Sequence, residues 1–288
     1  MLAVLTAGTL GAQSLEQTIK ARTASFEGTV SLYAKNLDTG DSIGIRATEP
    51  VRTASTIKLP IMMTVFDAVA KGKAKWTEPL TVTPAEKVSG SGILAAAFSD
   101  GVQLPLRDVV NLMIILSDNT ATNMVLERVT ADAVNQYLDS IGVKTTRSMR
   151  KVLGDGPGAG HSVAGKLPEN QKYGLGKSTP FDMVTFLEKL ERGEAVSPEA
   201  SKEMLAILRK CQDNTGVRRK LASVPIANKT GALDALRSDV ALVYSKGGRI
   251  AMAITVDGMP KTDYTPENVG SILISDLAKL LVEGLAKK

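Results

Sequence analysis

The stretch Ala54-Ser55-Thr56-Ile57-Lys58-Leu59-Pro60 decides how this chain folds, because it separates a strand-forming region from a helix-forming one. Before it, residues 27–37 alternate polar and apolar side chains, a turn follows, and residues 42–46 continue, which predicts a β-hairpin. After it, residues 59–69 form an apolar run with helical spacing. A serine at the start of that helix lies where free backbone N–H groups and the positive end of the helix dipole point.

The strand pattern returns near the C-terminus. Residues 224–229 predict a strand, and residues 239–245 and 249–256 predict two more strands joined by a hairpin turn at Gly247-Gly248. The last long segment, residues 269–285, has helical periodicity.

Between these ends the sequence is helical. Apolar residues recur at helical spacing in residues 106–116, 133–138, 181–190 and 202–208. Thr179-Pro180 and Ser197-Pro198 are typical helix starts, with a capping hydroxyl followed by proline at the first helical position.

We therefore predict a mixed α/β (α+β) fold. Both ends of the chain build one antiparallel sheet of about five strands with flanking helices, and an all-helical domain is inserted between its strands. The expected boundaries are residues 15–48 and 210–288 for the sheet domain and 49–209 for the helical domain, with the active site in the cleft between them.

The N-terminus predicts export. Residues 2–12 are apolar and small, and Ala12-Gln13-Ser14 has small residues at the spacing that a signal peptidase needs. A basic start to the segment is missing, and the run is too short to span a bilayer. We interpret residues 1–14 as a bacterial signal peptide, which implies a periplasmic or secreted protein; the alternative is a buried N-terminal helix.

Composition excludes several classes of function. The net charge is only +5 and aromatic residues make up 4% of the 288 residues, so a nucleic-acid surface is not expected and Arg218-Arg219-Lys220 is interpreted as a solvated face. Cys211 is the single cysteine, which rules out an internal disulfide and suggests a buried thiol. His161 is the single histidine, so a zinc site with several histidines is excluded and a Ser-His-Asp triad is disfavoured.

Three short motifs carry chemistry. Ser55 and Lys58, at positions i and i+3 of a helix, share one face. The same S-x-x-K pattern also fits Ser148 and Lys151, so the pattern alone is weak, and a helix cap with a surface charge explains it equally well. We prefer the first copy because it opens an apolar helix, whose first turns Pro60 should bend.

The second and third motifs are Ser117-Asp118-Asn119, between two helices, and Lys229-Thr230-Gly231, at the end of a strand. In the second, the serine is suited to relay a proton and the asparagine to bind a substrate amide. In the third, the lysine and threonine are suited to hold a carboxylate, and Gly231 permits close backbone approach. Taken alone, the second is equally typical of a capped turn and the third of an ordinary strand end.

In this order and spacing the motifs resemble those of the class A β-lactamases and the related penicillin-binding serine hydrolases. The resemblance includes residues 54–60, residues 116–121, and Lys229-Thr230-Gly231 followed by Asp239-Val240-Ala241.

The resemblance implies a role for each residue. Ser55 is the nucleophile, Lys58 the base or part of a base relay, and Ser117 the proton relay. The backbone N–H groups of Ser55 and Ala232 form the oxyanion hole. Substrate binding falls to Asn119, Lys229, Thr230 and Gly231, with Arg237 assisting from the next strand.

One departure from the family's motifs concerns the release of the acyl-enzyme, and it leaves more than one function open. In the family, the glutamate of a Glu-x-x-Leu-Asn string activates the water that releases the acyl-enzyme, whereas residues 152–157 contain no glutamate. The possible replacements are Asp155, Glu169 and Lys58. The main hypothesis is a β-lactam hydrolase with possibly slow deacylation. The alternatives are a penicillin-binding D-alanyl-D-alanine peptidase and a non-catalytic protein that binds β-lactams or peptides.

The sequence implies no cofactor and no metal. The expected partner is a small-molecule β-lactam or a peptidoglycan peptide, bound by a monomer without a stable membrane span. We expect Ser89-Gly90-Ser91-Gly92 to form a loop at the edge of the cleft, although a plain flexible turn fits it equally well.

Overall fold

A computed structural model describes residues 8–152 and 161–286, with side chains placed from residue 15 onward. The strands are β1 (Thr29–Asn36), β2 (Ser42–Ile45), β3 (Val51–Arg52), β4 (Pro79–Thr81), β5 (Gln103–Pro105), β6 (Arg147–Ser148), β7 (Gly176–Ser178), β8 (Ile226–Leu233), β9 (Leu236–Ser245) and β10 (Gly248–Asp257). The helices are α1 (Gly8–Thr23), α2 (Lys58–Ala70), α3 (Leu94–Ala97), α4 (Leu106–Ile115), α5 (Asn119–Val129), α6 (Ala131–Ser140), α7 (Pro180–Glu191), α8 (Pro198–Arg209) and α9 (Val269–Leu285).

The two ends of the chain form one five-stranded antiparallel sheet in the order β2-β1-β10-β9-β8. This confirms the fold predicted from the alternating patterns. One detail of the prediction was wrong, because the β9–β10 turn consists of Lys246 and Gly247, and Gly248 already pairs with Ser245. Gly248 has a φ of +124°, and a Cβ there would lie 2.7 Å from the Asn36 side chain, so this strand position requires glycine.

The sheet separates two hydrophobic clusters. On one face Leu32, Ala34 and Met252 pack against α1 and α9, and on the other face Ala251 and Ala253 pack against the helical part of the chain. The alternation along β1 and β10 places successive residues on opposite faces, which is why a strand with few polar residues still serves two cores.

Helix α7 connects the helical part to the sheet, since it packs against β1 and β10. Its start follows the sequence prediction. Pro180 is the first helical residue, and the Thr179 hydroxyl accepts a hydrogen bond of 3.0 Å from the Asp182 backbone N–H. Ser197 caps α8 in the same way by accepting from the Ala200 N–H.

The region 49–209 is not all-helical, and this part of the prediction was wrong. It contains the small sheets β3-β7-β6 and β4-β5. These strands are two or three residues long, so none has enough residues to show the alternation from which a strand is recognised. The expected domain boundaries stay predictions.

The described side chains of helix α1 pack against the C-terminal helix α9. Leu15 and Ile19 are buried in the cluster that α9 completes, and a Cβ at Gly284 would lie 2.5 Å from Leu15. Within residues 8–152 and 161–286, no helix combines the length and the apolar character needed to cross a membrane.

The capping bond of Thr179 gives a stability prediction. Thr179→Ala removes the acceptor for the Asp182 N–H and should lower the free energy of unfolding by about 1 kcal/mol. Thr185→Ala in the same helix is the control; its hydroxyl only donates back to the Phe181 carbonyl, so its loss should change stability by less than about 0.5 kcal/mol. Denaturant unfolding measures both, and equal losses would contradict the assigned role of the cap.

Candidate active site

The candidate nucleophile lies on a tight turn between β3 and α2. Ser55 is half-buried in the 3-10 turn Ala54–Ile57, and Ala54 before it has a φ of +46°, an uncommon conformation for a residue with a side chain. Lys58 begins α2 and donates its backbone N–H to the carbonyls of Ser55 and Thr56. The bend expected at the helix start is therefore a 3-10 turn that leads into the α-helix.

The Lys58 side chain is completely buried and makes three hydrogen bonds. Its Nζ atom donates to the Ser117 carbonyl at 2.7 Å, to Ser117 Oγ at 3.2 Å and to Asn119 Oδ1 at 2.9 Å. These use all three donors of an ammonium group. A neutral amine gives up one of them and gains a lone pair that can accept a proton from a nearby hydroxyl.

The Ser117 hydroxyl lies between two lysines. Lys229 Nζ donates to Ser117 Oγ at 3.0 Å, opposite the bond from Lys58. A hydroxyl has two lone pairs and one proton, so when both lone pairs accept from lysines the proton is left to be donated. Ser117 itself has a φ of +53°, so the backbone is strained at the residue where the first and second motifs meet.

Asp118 fixes the loop beside the second motif. It is buried; its Oδ1 caps α5 by accepting from the Ala121 N–H at 2.8 Å, and its Oδ2 accepts from the N–H groups of Ile93 at 2.7 Å and Leu94 at 2.9 Å. A Cβ on Gly92 would come within 2.2 Å of this carboxylate, so glycine is required there. The sequence analysis missed this role of Asp118.

Asn119 is oriented by two partners. Its Oδ1 accepts from Lys58, and its Nδ2 donates to the Ser89 carbonyl at 3.0 Å. Its backbone N–H donates to the Ser91 carbonyl at 3.0 Å. The loop of residues 89–92 therefore lies directly against the second motif.

The third motif lies on the edge strand β8, next to the nucleophile turn. Lys229 is completely buried, and its Nζ donates to the Thr230 carbonyl at 2.8 Å as well as to Ser117. A Cβ on Gly231 would lie 2.8 Å from the Thr53 carbonyl and 3.0 Å from the Ser55 nitrogen. The glycine thus permits the close backbone approach that the sequence predicts, and it brings the strand to the N–H of Ser55.

Burial changes the proton affinity of both lysines. Desolvation lowers the pKa of Lys58 well below its ordinary value, and the charge on Lys229 lowers it further, while Asp118 opposes the change. Desolvation also lowers the pKa of Lys229, against the attraction of Asp213 and Asp239. Lys58 is therefore the lysine more easily neutralised and the better candidate for a base.

A carboxylate that the sequence analysis did not single out lies near Lys229. Asp213 Oδ1 accepts from the Thr215 backbone N–H at 2.9 Å and from the Thr215 hydroxyl at 2.7 Å. Burial raises the pKa of Asp213. Three effects oppose it: the hydrogen bonds from Thr215, the hydrogen bond from the Thr230 side chain, and the charge on Lys229. Together they outweigh burial and leave the pKa of Asp213 below its ordinary value. No motif contains Asp213, so only the fold reveals it.

Arg237 is buried and bonded to the main chain. Its guanidinium donates to the carbonyls of Leu233 and Leu236, both at 2.6 Å, and to that of Asp263, and it stacks 4.8 Å from the ring centre of Tyr264. Its backbone pairs with Ala232 across the β8–β9 hairpin. These bonds hold the turn that follows the third motif.

The second S-x-x-K copy lies elsewhere. Ser148 is in the short strand β6 and its hydroxyl is buried without a partner among the described residues, while Lys151 bonds to Glu86 at 3.0 Å and to Glu127. This arrangement brings no base to the serine, so the preference for Ser55 agrees with the geometry.

The two candidate deacylation bases are placed differently. Asp155 lies outside the described residues. Glu169 is exposed in the 3-10 turn Pro168–Tyr173, where its charge acts on Lys177. Asn123 of α5 bonds twice to the backbone of Val152, at 2.8 Å to both its N–H and its carbonyl, and so anchors the chain three residues before Asp155.

This fold and site define the class. A serine on a strained turn, a buried lysine of lowered pKa, and a hydroxyl between two lysines together equip a serine hydrolase that works through an acyl-enzyme. Residues 14–285 match the beta-lactamase enzyme family, and the chain belongs to that family. It is a serine hydrolase of the class A β-lactamase type, acting on β-lactams.

Individual relatives are distant. The chain is 24% identical to the β-lactamase regulatory protein BlaB of Streptomyces cacaoi, over 85% of this chain and 90% of that one. It is 29% identical to a β-lactamase of Sphaerobacter thermophilus DSM 20745, with a TM-score of 0.81 over 95% of this chain and 97% of that chain. It is also 29% identical to a mutant of PBP-A solved as its acyl-enzyme with penicillin G, with a TM-score of 0.79 over 94% and 96%.

The positive charge of Lys229, which shares the partner Ser117 with Lys58, predicts a pH effect. If neutral Lys58 is the base, acylation accelerates as the pH rises through its lowered pKa. Lys229→Gln removes the neighbouring positive charge, so the pKa of Lys58 should rise and the midpoint of the pH–rate profile should move upward by about one unit. Stopped-flow acylation by a chromogenic cephalosporin measures the midpoint.

The control for this effect is Lys35→Gln, which removes a lysine whose partner is Glu188 and not a residue of the three motifs. Its midpoint should equal that of the unmodified protein. A midpoint that Lys229→Gln leaves in place would show that the titrating group is not Lys58.

Proposed function

We propose that Ser55 attacks the carbonyl carbon of a β-lactam while neutral Lys58 takes the proton from its hydroxyl. The new bond joins Ser55 Oγ to the carbonyl carbon, and the electron pair of the double bond moves to the oxygen. The backbone N–H groups of Ser55 and Ala232 bind this oxyanion. The close approach of Gly231 to the Ser55 nitrogen supports a shared site for the two donors.

Collapse of this intermediate breaks the bond from carbon to nitrogen. The Ser117 hydroxyl donates its proton to the leaving nitrogen and is reprotonated by Lys58, which returns the lysine to its neutral state. The single observation that carries this proposal is the Ser117 Oγ atom held by Lys58 and Lys229, at 3.2 and 3.0 Å. Lys229, Thr230 and Asn119 bind the polar groups of the substrate, and Arg237 holds the turn beside them.

The nucleophile is tested by intact mass. After exposure to penicillin G, the unmodified protein should gain the mass of the antibiotic, and Ser55→Ala should gain none. Ser148→Ala is the matched control, since it removes the serine of the second S-x-x-K copy and should leave the adduct in place. An adduct on the Ser55→Ala protein, or its loss in Ser148→Ala, would refute the assignment.

A second assay, in which the unmodified protein is mixed with a chromogenic cephalosporin and both hydrolysis and intact mass are followed, separates the candidate functions. Steady hydrolysis of a chromogenic cephalosporin indicates a β-lactam hydrolase. A stoichiometric burst with a persistent adduct indicates a penicillin-binding D-alanyl-D-alanine peptidase, a candidate favoured by the PBP-A mutant that was solved as an acyl-enzyme with penicillin G. Neither adduct nor hydrolysis would indicate a non-catalytic binding protein.

For release of the acyl-enzyme, Asp155 is our proposed base. The two bonds from Asn123 hold Val152 one helical turn from Asn119, so the segment that leads to Asp155 starts beside the site. Glu169 is the less suitable candidate, because the lysine on which its charge acts is Lys177. The carboxylate whose charge acts on Lys58 is Asp118. The Asp118 carboxylate already accepts hydrogen bonds from three backbone N–H groups, so it is not our candidate.

Asp155→Asn should therefore slow the loss of the adduct by at least about tenfold, since a positioned base contributes about 10²–10⁴ in rate. The rate of acylation should stay unchanged. Glu169→Gln is the comparison, because it removes the other candidate carboxylate. If only Glu169→Gln slows release, Glu169 is the base; if neither does, Lys58 remains.

We also propose that the protein acts as a monomer outside the cytoplasm. Residues 1–14 fit a signal peptide, and the packing of Leu15 and Ile19 against α9 supports a mature domain that begins near residue 15.

A further inference from the structure

We propose that a cavity beside strand β3 is a second binding site, which takes a sugar that carries an anionic group, either a carboxylate or a phosphate. The cavity has a volume of about 440 Å³, which is in the range of small-ligand pockets. It lies between strands β1 and β10 of the large sheet and a wall formed by β3 and residues 172–173. Its described lining includes no residue of the three motifs, so this site is separate from the reaction at Ser55.

The floor of the cavity is polar. Ser31 on β1 and Thr255 on β10 lie opposite each other in the antiparallel pairing, so both side chains project from the same face of the sheet. Both residues line the cavity and are buried, with 3% and 4% of their surface exposed. Thr255 Oγ1 bonds to Ser238 Oγ at 2.8 Å, whereas the Ser31 hydroxyl has no hydrogen-bond partner in the described parts of the chain. A buried hydroxyl without a partner costs free energy, which a hydroxyl group of a ligand would recover by bonding to Ser31.

The charged residues of the lining leave an excess of positive charge. These residues are the cations Arg46, Arg52 and Lys172 and the carboxylates Glu49 and Asp257. Arg52 and Asp257 neutralise each other, since Arg52 Nε donates to Asp257 Oδ2 at 2.9 Å. Arg46 and Lys172 form no ion pair within residues 8–152 and 161–286. In the described lining, two cations therefore stand against the single carboxylate of Glu49.

Arg46 is held in a conformation that is uncommon for a residue with a side chain. Its φ is +49°, and its carbonyl accepts a hydrogen bond of 3.1 Å from the Glu49 backbone N–H. Strained backbone conformations of this kind concentrate at binding and catalytic sites. The turn of residues 46–49 thus keeps an unpaired cation at the cavity at some cost in backbone energy.

A row of three cations continues from the cavity wall. Arg52, Lys177 and Arg147 lie directly opposite one another on the adjacent strands β3, β7 and β6, where like charges destabilise a sheet. Both arginines have a carboxylate partner, but Lys177 has none within hydrogen-bond distance among the described residues. Burial lowers the pKa of Lys177, and the charges of Arg147 and Lys172 lower it further, while Glu169 opposes the change. A bound anion would reduce this repulsion.

These features define the class of ligand. Arginine and lysine side chains only donate hydrogen bonds and so suit an anion, whereas a hydroxyl such as that of Ser31 both donates and accepts and so suits the hydroxyl groups of a sugar. A free carboxylate or phosphate ion would leave most of the 440 Å³ unfilled, since one water molecule takes about 30 Å³. The ligand therefore combines a charged group with a hydroxylated body.

The test is an NMR titration of the full chain, labelled with ¹⁵N. N-acetylmuramic acid differs from N-acetylglucosamine by a lactyl carboxylate, and glucose 6-phosphate differs from glucose by a phosphate, so the two pairs distinguish the two sources of negative charge. At least one acidic sugar should shift the amide signals of Ser31, Arg46 and Tyr173 in a saturable way. It should bind at least about tenfold more tightly than its neutral counterpart, and than lactate or inorganic phosphate alone, because hydrogen bonds to charged groups are the strong ones.

The double variant Arg46→Gln/Lys172→Gln removes both unpaired cations and should weaken the acidic sugar at least about fivefold, while the neutral sugar is unaffected. Ser31→Ala should weaken the acidic sugar about threefold, because one hydrogen bond is lost. The matched control is Lys71→Gln/Arg192→Gln, which removes the same two kinds of charge at the ends of α2 and α7, where each pairs with a carboxylate one helical turn earlier. The control should bind the sugar as the unmodified protein does.

The proposal is overturned if neither acidic sugar binds, if a neutral sugar or a free anion binds as tightly, or if the double variant binds no more weakly than the control. This failure is distinct from failure of the proposed function. The double variant leaves the three motifs intact, so it should still gain the mass of penicillin G, and only the absence of that adduct on the unmodified protein bears on Ser55.

Discussion

The meeting of two buried lysines on one hydroxyl oxygen is the constraint on which the rest of the site depends. Lys58 and Lys229 are both completely buried and both donate to Ser117 Oγ. Two ammonium groups this close and this dry repel each other, so one of them is easily neutralised. Burial and the charge on Lys229 lower the pKa of Lys58, and the two bonds to Ser117 Oγ leave its proton free for donation.

Such a contact needs a rigid frame, because the lysines come from different parts of the fold. Lys58 is held by the start of α2 and Lys229 by the edge strand β8, and Ser117 belongs to the connection between α4 and α5. Asp118 stiffens that connection with three backbone hydrogen bonds. Asp239, whose pKa burial raises to about 6, ties the neighbouring strand to Asn228 and to residue 217.

The sequence predicted what depends on local pattern. The five-stranded sheet, the helix α9 and the threonine cap of α7 follow from alternation, periodicity and capping chemistry. It did not predict contacts between residues distant in the chain, such as Asp118 with Ile93 or Asp213 with Thr230. It also missed the two- and three-residue strands of the middle region, which are set by tertiary pairing and not by their own residues.

The structure bears differently on the two steps of the reaction, formation of the acyl-enzyme and its release. In the proposed mechanism, forming the ester needs a neutral amine and a proton donor, and the residues assigned to these roles, Lys58 and Ser117, lie within one hydrogen-bond network among the described residues. Breaking the ester needs a base for water, but the carboxylate that acts on Lys58, Asp118, already accepts three N–H groups and is buried. Asn123 holds Val152 with two hydrogen bonds, three residues before Asp155, the base that we propose for this step. In this proposal, release of the acyl-enzyme depends on the segment after Val152, whereas its formation depends on Ser55, Lys58 and Ser117.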